Sequence, residues 1–381
     1  MRIGILTFHR SINYGAFMQA YAMSNELQNR YGGSTVEIID FDYAFKNARY
    51  RQKAVGVVGT VLGFRKQYNA FQKDLQELAL SKDSLVTDDT NRVREYLQRN
   101  YDIIIVGSDA VWAFQKLPLK NPYWLFGKDL DVIKCSYAAS AFTTEFERVT
   151  TEEREYIADC LSSFSYIGVR DAATQGFVSS LGLGKEVNLN HDPTFFLKPA
   201  QDRARAEEVY RRNGLEKGQK YIMMMSRFFP YIDELERYLG AEYKLLFVHR
   251  RNNQRSDFFK VGRKFVADLS PLDWYNLFPL MELNLQYYFH GALVGMVNGV
   301  PTLAIDDSTN SYRSKYSQVF ADLGLHDNII MKKDLDKDAY FAKIDYLLHH
   351  KDDEQARIMK GFEKERQKSA SFFDFLDSVI K

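Results

Sequence analysis

RIGILTFHRSINYGAFMQAYAM, residues 2–23, decides the fold. Residues 2–8 form a short apolar run of the kind that buried parallel strands carry. From residue 15 to residue 30, Ala16, Ala20, Met23 and Leu27 recur at helical spacing, and Gly32 and Gly33 stop that helix. TVEIIDF (35–41) is the next strand. The three pieces make a βαβ unit, whose crossover is expected to be right-handed. Between its first strand and its helix lies a polar loop with His9, Arg10, Asn13 and Tyr14, and Gln19 follows on the first turns of the helix. Such loops are where α/β proteins hold ligands.

The alternation continues outward from there. YDIIIVG (101–107), KCSYAAS (134–140), YIGVRD (166–171) and VNLNHDPTFF (187–196) read as strands. TTEEREYIADCLSSF (150–164) reads as a helix with Thr150 or Thr151 as its cap and acids in its first turn, and AATQGFVSSLGL (172–183) as another. Residues 42–100 differ, being basic, then apolar and glycine-bearing, then helical. A charged stretch at 198–220 marks the boundary to a second alternation of strands (221–226, 243–249, 283–289, 301–307) and helices (230–239, 270–282, 291–299). In the 270–282 helix Ser270 is the cap and Pro271 the first helical residue. The division expected is therefore 1–200, with an insertion at about 42–100, and 201–381 with C-terminal helices.

The bulk numbers suit two soluble α/β domains. The chain has 381 residues, 45% apolar and 27% charged. Fifty-one basic and 50 acidic residues leave a net charge of +1, which argues against a nucleic-acid partner. Cys135 and Cys160 form neither a metal spacing nor a disulfide framework, and no stretch approaches the length of a membrane span, so a cytoplasmic protein is expected. The segment 49–66 (RYRQKAVGVVGTVLGFRK) is apolar in the middle and basic at both ends. It suits either a peripheral contact with anionic lipid or a buried or dimer-packing segment.

Polar chemistry follows four apolar runs. After the first strand comes the loop through Asn13, Tyr14 and Gly15; Asn13 is also a plausible helix cap. After IIIV comes Gly107-Ser108-Asp109, where a carboxylate can act as a base or hold structure, then Trp112, a sugar platform or a core residue. After IGV comes Arg170, whose fork suits a carboxylate or phosphate, or an ion pair. After LNLQYYF comes His290, placed to donate a proton or hold an anion, with Gly291 opening a helix. The chain lacks the P-loop, dinucleotide, zinc-protease and nucleophile-elbow motifs. From the residues alone this is an anion-binding, two-domain α/β enzyme.

Taken together, GILTFHRSINYGAFMQAYAM, DIIIVGSDAVW, SYAAS, IGVRDAAT, HDPTFFL and YFHGALVGMVNGVPTLAID, in this order from residue 2 to about 306, resemble the polysaccharide pyruvyl transferase family. The resemblance implies an α/β fold of two Rossmann-like domains in a GT-B-like arrangement with a cleft between them. It implies transfer of the pyruvate unit of phosphoenolpyruvate onto two hydroxyls of a sugar, or of a lipid-linked oligosaccharide acceptor, with no cofactor and no metal. It associates Arg170 and His290 with the donor site. Many members carry Arg two residues before that His; here the residue is Tyr288. Arg227 is then a candidate for the missing donor cation, as are Arg250 and Arg251; Gly291, next to His290, is also assigned to donor binding. His290 is assigned to acid or phosphate contact and Asp109 to hydroxyl activation, with Asp192 the weaker alternative base. Asn13, Tyr14, Gln19 and Trp112 are assigned to the acceptor side. The competing expectations are a nucleotide-sugar glycosyltransferase of the same fold and a non-catalytic saccharide-binding relative.

Overall fold

The chain is described from a computed structural model, which covers residues 1–56, 64–113, 117–141, 144–225, 230–248, 264–266, 269–308 and 315–380. It divides into two compact units. The first comprises Met1–Arg51, Leu75–Phe196 and Arg366–Lys381; the second comprises Gln52–Asp74 and Leu197–Glu365.

In chain order the first unit opens with β1 (Arg2–Leu6), α1 (Tyr14–Arg30), β2 (Thr35–Ile38) and a two-residue β3 (Phe41–Asp42). Helix α2 (Ala44–Val55) runs across the first change of unit, and α3 (Phe64–Asp74) belongs to the second unit. The chain then returns through β4 (Leu85–Val86), α4 (Thr90–Asn100), β5 (Ile103–Val106), β6 (Ile133–Ala139), α5 (Thr151–Ser162), β7 (Tyr166–Val169), α6 (Ala172–Ser179) and β8 (Val187–Leu189). The second unit continues with α7 (Arg203–Arg212), β9 (Lys220–Met225), α8 (Ile232–Leu239), β10 (Tyr243–Val248), β11 (Lys264–Val266) and α9 (Pro271–Leu277). After these come β12 (Met281–Gln286), α10 (Phe289–Val297), β13 (Thr302–Asp306), α11 (Lys315–Asp322), β14 (Ile329–Met331), α12 (Lys337–His349) and α13 (Lys351–Arg366). Helix α14 (Ala370–Val379) belongs to the first unit again.

Each unit is built on a six-stranded parallel sheet, ordered β2-β1-β5-β6-β7-β8 in the first and β11-β10-β9-β12-β13-β14 in the second. The central strands are apolar on both faces, as a sheet covered on both sides requires: all four residues of β5 and Ile3, Ile5 and Leu6 of β1 are fully buried. In each unit the order of strands changes direction once, between β1 and β5 and between β9 and β12. Ligands of doubly wound folds sit outside the carboxyl ends of the strands at that point.

Strand β12 departs from the apolar rule. Leu283 and Leu285 join the core with Ile222, Met224, Leu303 and Ile344. Asn284 and Gln286 alternate with them and are equally buried. Asn284 Nδ2 donates to the Gly291 carbonyl (3.0 Å) and Thr302 Oγ1 (3.1 Å), and Gln286 Nε2 donates to Asn284 Oδ1 (2.6 Å). These bonds tie α10 to β12 and β13.

The caps follow the sequence closely. Thr150 caps α5 in a reciprocal box with Glu153, and Ser270 caps α9 with Asp273, Pro271 standing first in the helix. Three of the departures from the sequence reading bear on the architecture. The closing strand read over 187–196 stops at Leu189, and Pro193–Phe196 form a 3-10 turn held by Thr194, whose N–H and hydroxyl both donate to Asp192 Oδ1. Part of the insertion belongs to the second unit rather than the first. The Asp74 carboxylate at the end of α3 accepts from the Leu272 N–H (2.7 Å) and from Arg205 Nη2 (2.5 Å). The last helix belongs to the first unit. Phe372 packs on Tyr137 and Tyr166 with ring centroids 4.6 and 5.4 Å apart, Phe373 on Phe196 (5.7 Å), and Tyr31 OH donates to Asp377 (2.8 Å).

That helix is therefore expected to be part of the first unit's core. Phe372→Ala should destabilise this unit by about 3–5 kcal/mol. Urea unfolding in a Trp274→Phe background reads it out, since Trp112 and Trp124 then report the first unit alone.

Candidate functional site

The carboxyl edge of the first sheet is built by stitching neighbouring loops together. The loop after β1 and the loop after β5 meet through Thr7, Gln19 and Ser108, all buried. Thr7 Oγ1 donates to the Ser108 carbonyl (3.0 Å), Ser108 Oγ donates to Gln19 Oε1 (2.8 Å), and Gln19 Nε2 donates to Thr7 Oγ1 (2.9 Å) and the Ala16 carbonyl (2.8 Å). Gly107 precedes Ser108 at φ 116°, and a Cβ there would lie 2.2 Å from the Tyr137 carbonyl oxygen. Only glycine lets β5 leave the sheet this close to β6. Asp109 follows at φ 75°, its carbonyl accepting from the Ser140 N–H (3.0 Å).

The loop after β7 brings Arg170 to the same edge. Its Nη1 donates to Asp192 Oδ2 at 2.7 Å, and its Nη2 lies 3.9 Å from Asp109 Oδ1. The three side chains are 6%, 0% and 14% exposed for Arg170, Asp192 and Asp109. Burial opposes the guanidinium charge, but the two carboxylates outweigh it and hold the proton more firmly than usual. Asp109 Oδ1 also accepts from the Ala110 N–H (2.8 Å). Next to Asp192, His191 is buried and its Nδ1 donates to the Asp192 carbonyl (2.9 Å). Burial pushes its pKa down to about 4, so it is neutral at pH 7.

A second charged cluster occupies the ends of β1 and β2. The Asp40 carboxylate accepts from His9 Nε2 (2.8 Å), Arg10 Nε (2.5 Å) and Arg10 Nη2 (2.5 Å). Burial alone would raise the Asp40 carboxyl, yet the bonds from His9 and Arg10 prevail and hold it well below the usual range. His9 and Arg10, prominent in the sequence, are thus bound to a carboxylate 31 and 30 residues away.

Several residues assigned from sequence have structural work instead. Gln19 is fully buried, with its amide bonded on both sides as described, and does not reach an acceptor. Trp112 is fully buried in the core, stacked on Trp124 at 5.2 Å, with Nε1 donating to the Tyr123 carbonyl. It is not an exposed sugar platform. Asp192 has both oxygens bonded and no exposed side-chain surface, which removes it as a base. Asn13 caps α1 through the Gly15 N–H (3.1 Å) and is half-buried, while Tyr14 is buried at the start of the helix. In the second unit His290 is the second residue of α10 rather than the residue after a strand, half-buried with its ring edge-on to Phe289. Gly291 is a packing glycine, since a Cβ would lie 2.2 Å from Gln286 Oε1. Tyr288 precedes α10. Arg227, Arg250 and Arg251 lie outside the described residues. Among the described residues no group of three or more His, Cys, Asp or Glu side chains is arranged to hold a metal ion.

Sequence reasoning missed Asp40 and Thr7. The signal available was a polar residue at or near the end of an apolar run in each case.

Two stability outcomes follow from these charges. His191 takes up no proton in the folded chain until about pH 4, whereas the unfolded chain protonates it near pH 6.5. Stability should therefore fall as pH drops through that window, by roughly 2–3 kcal/mol from this group, and His191→Gln should flatten the slope in denaturant titrations. Asp40→Asn leaves His9 and Arg10 without their carboxylate and should cost about 3 kcal/mol at pH 7. Its deficit should shrink below about pH 4, where the wild-type chain begins to lose the same stabilisation as its unfolded carboxyl takes up a proton.

Comparison with known proteins adds the following. No curated protein matches the sequence. Among solved structures, the UDP-GlcNAc 2-epimerase of Neisseria meningitidis bound to UDP-GlcNAc is similar at a TM-score of 0.56 and 10% identity, over 99% of this chain and 100% of that one. HepE of Anabaena in complex with UDP-glucose reaches 0.52 at 11% identity, over 97% and 95%. UGT2 of Phytolacca americana, complexed with UDP-2fluoro-glucose and pterostilbene, reaches 0.52 at 11% identity, over 99% of both chains. At these identities the likeness is one of fold, the GT-B class of two Rossmann-like domains. The profile of the polysaccharide pyruvyl transferase family matches residues 13–309, from the cap of α1 to beyond β13. The chain belongs to the polysaccharide pyruvyl transferase family.

Proposed function

We propose that this chain is a pyruvyl (ketal) transferase, moving the pyruvate unit of phosphoenolpyruvate onto two hydroxyls of a sugar in a cell-surface polysaccharide or its lipid-linked precursor. The observation that supports this reading is the span of the family match, which takes in Asn13, Asp109, Arg170 and His290 in one run. The chemistry asks for an acid, a base and anion anchors. Protonation of the methylene carbon of the enol ester gives cationic character to the adjacent carbon, and a sugar hydroxyl adds there, losing its proton. The bond to phosphate breaks, the second hydroxyl closes the ring, and its proton leaves with the phosphate.

In this scheme His290 supplies the proton or holds the phosphate. Asp109, the partly exposed carboxylate of the first unit's edge, takes the hydroxyl proton. Arg170 positions Asp109 and draws the anion electrostatically. Arg227 and the backbone N–H of Gly291 in the first turn of α10 are further donor contacts. Asn13, half-buried, belongs to the acceptor side in addition to capping α1. Phosphoenolpyruvate is a cytosolic metabolite, so the reaction belongs in the cytoplasm.

A second reading, a glycosyltransferase using a nucleotide sugar, draws on one observation: the strand order of the second sheet is that of the dinucleotide-binding fold. A thermal-shift panel separates the two. Phosphoenolpyruvate should raise the melting temperature and uridine diphosphate sugars should not; the reverse result favours the second reading. Phosphate release from phosphoenolpyruvate with an oligosaccharide acceptor should fall by about 10²–10⁴-fold in His290→Ala and in Asp109→Asn. Undiminished turnover would remove the substituted residue from the reaction.

A further inference from the structure

The longest stretch of this chain without an acidic residue is strongly basic. Residues 43–73 contain seven basic residues, Lys46, Arg49, Arg51, Lys53, Arg65, Lys66 and Lys73, and no acid. The other 350 residues hold 44 basic and 50 acidic residues, so a chain of net charge +1 is a segment of +7 and a remainder of −6.

The structure shows what α2 does with its share. Ala54 is its single buried residue. Lys46 turns inward, its ammonium 4.9 Å from the centre of the Phe8 ring and 5.3 Å from that of Tyr43. The remaining cations, Arg49, Arg51 and Lys53, are exposed. Between them stand Phe45, 52% exposed, and Val55, 76% exposed, two of the few large apolar side chains that the described residues leave open to solvent. At about 100° per residue Phe45, Arg49, Gln52 and Lys53 share one stripe, with Ala48 and Val55 beside it. The outward face is thus cationic with apolar side chains interleaved, which is the composition of a helix lying in a lipid headgroup region.

We propose that α2 docks the protein on an anionic bilayer surface, with Arg49, Arg51 and Lys53 among the headgroups and Phe45 and Val55 entering the acyl boundary. Charge complementarity selects this occupant. A two-fold contact between copies of this face would set like charges against each other. A soluble polyanion would use the cations and leave Phe45 and Val55 in water. Among the described residues no helix is long and apolar enough to cross a membrane, so the contact is peripheral. The proposal does not depend on which group the enzyme transfers.

Flotation of the full chain with vesicles tests it. At about 0.1 M salt the protein should float with vesicles containing about 30 mol% phosphatidylglycerol and not with pure phosphatidylcholine. Arg49→Gln/Arg51→Gln/Lys53→Gln should lower the partition by about tenfold or more at an unchanged melting temperature. Phe45→Trp should show, in the difference from the wild-type emission, a blue shift of the introduced indole on the anionic vesicles. The proposal is overturned if the triple variant floats as the wild type does, or if the added tryptophan does not respond to vesicles that carry the protein. It is equally overturned if the wild type ignores anionic vesicles while heparin retains it, or while the α2 substitutions convert a dimer into a monomer.

Discussion

A guanidinium stays in a protein interior only where carboxylates answer it. At the edge of the first sheet Asp192 answers Arg170 directly and Asp109 from slightly farther away, and the surrounding architecture serves that arrangement. β7 must end where Arg170 can turn in, and the chain after β8 must abandon strand geometry so that Asp192 and Thr194 make their turn. β5 must leave the sheet through a glycine so that Asp109 arrives beside the pair. The neutral His191 keeps a second positive charge out of the same pocket of structure. Asp109 is the member of the trio that retains most contact with solvent, and it is the one to which chemistry is assigned.

Much of this edge is legible in the one-dimensional pattern. The apolar runs IGIL, IIIV and YIGV mark parallel strands, and a doubly wound sheet gathers the residues that follow such strands. Asp109 and Arg170 stand out on that ground, and they do lie together. What the pattern does not show is which side chains answer which. Gln19 and Ser108 are 89 positions apart, and His9 and Asp40 are 31 apart. A glutamine at the start of a helix has the same appearance whether it faces a ligand or clamps two loops. Gln19 stands among Phe17, Met18 and Ala20, and a polar amide surrounded by apolar neighbours is the sequence trace of an internal clamp. Trp112 illustrates the same ambiguity, since a large aromatic after a strand suits a sugar platform and a core equally well until its neighbours are known.

The second unit solves a different problem. Its central strand β12 carries amides where an apolar face would be ordinary, and uses them to fix α10 against the sheet. Gly291 and Gly295 are glycines because those amides already occupy the space a side chain would need. LNLQ reads as a strand, but its polar half has the look of an edge facing water rather than of an internal brace. The start of α10, and with it His290, is therefore held from below by Asn284 and Gln286. Precise placement of His290 is what its proposed role in proton transfer requires.

The return of α14 to the first unit has a consequence for biosynthesis. Domains usually fold in the order in which they leave the ribosome. Here the aromatic face formed by Tyr137, Tyr166 and Phe196 waits, uncovered, until the whole of the second unit has been translated. The first unit is thus begun first and completed last. A nascent chain halted within the second unit would present that face to chaperones, which couples the quality control of the two units even though each has its own sheet.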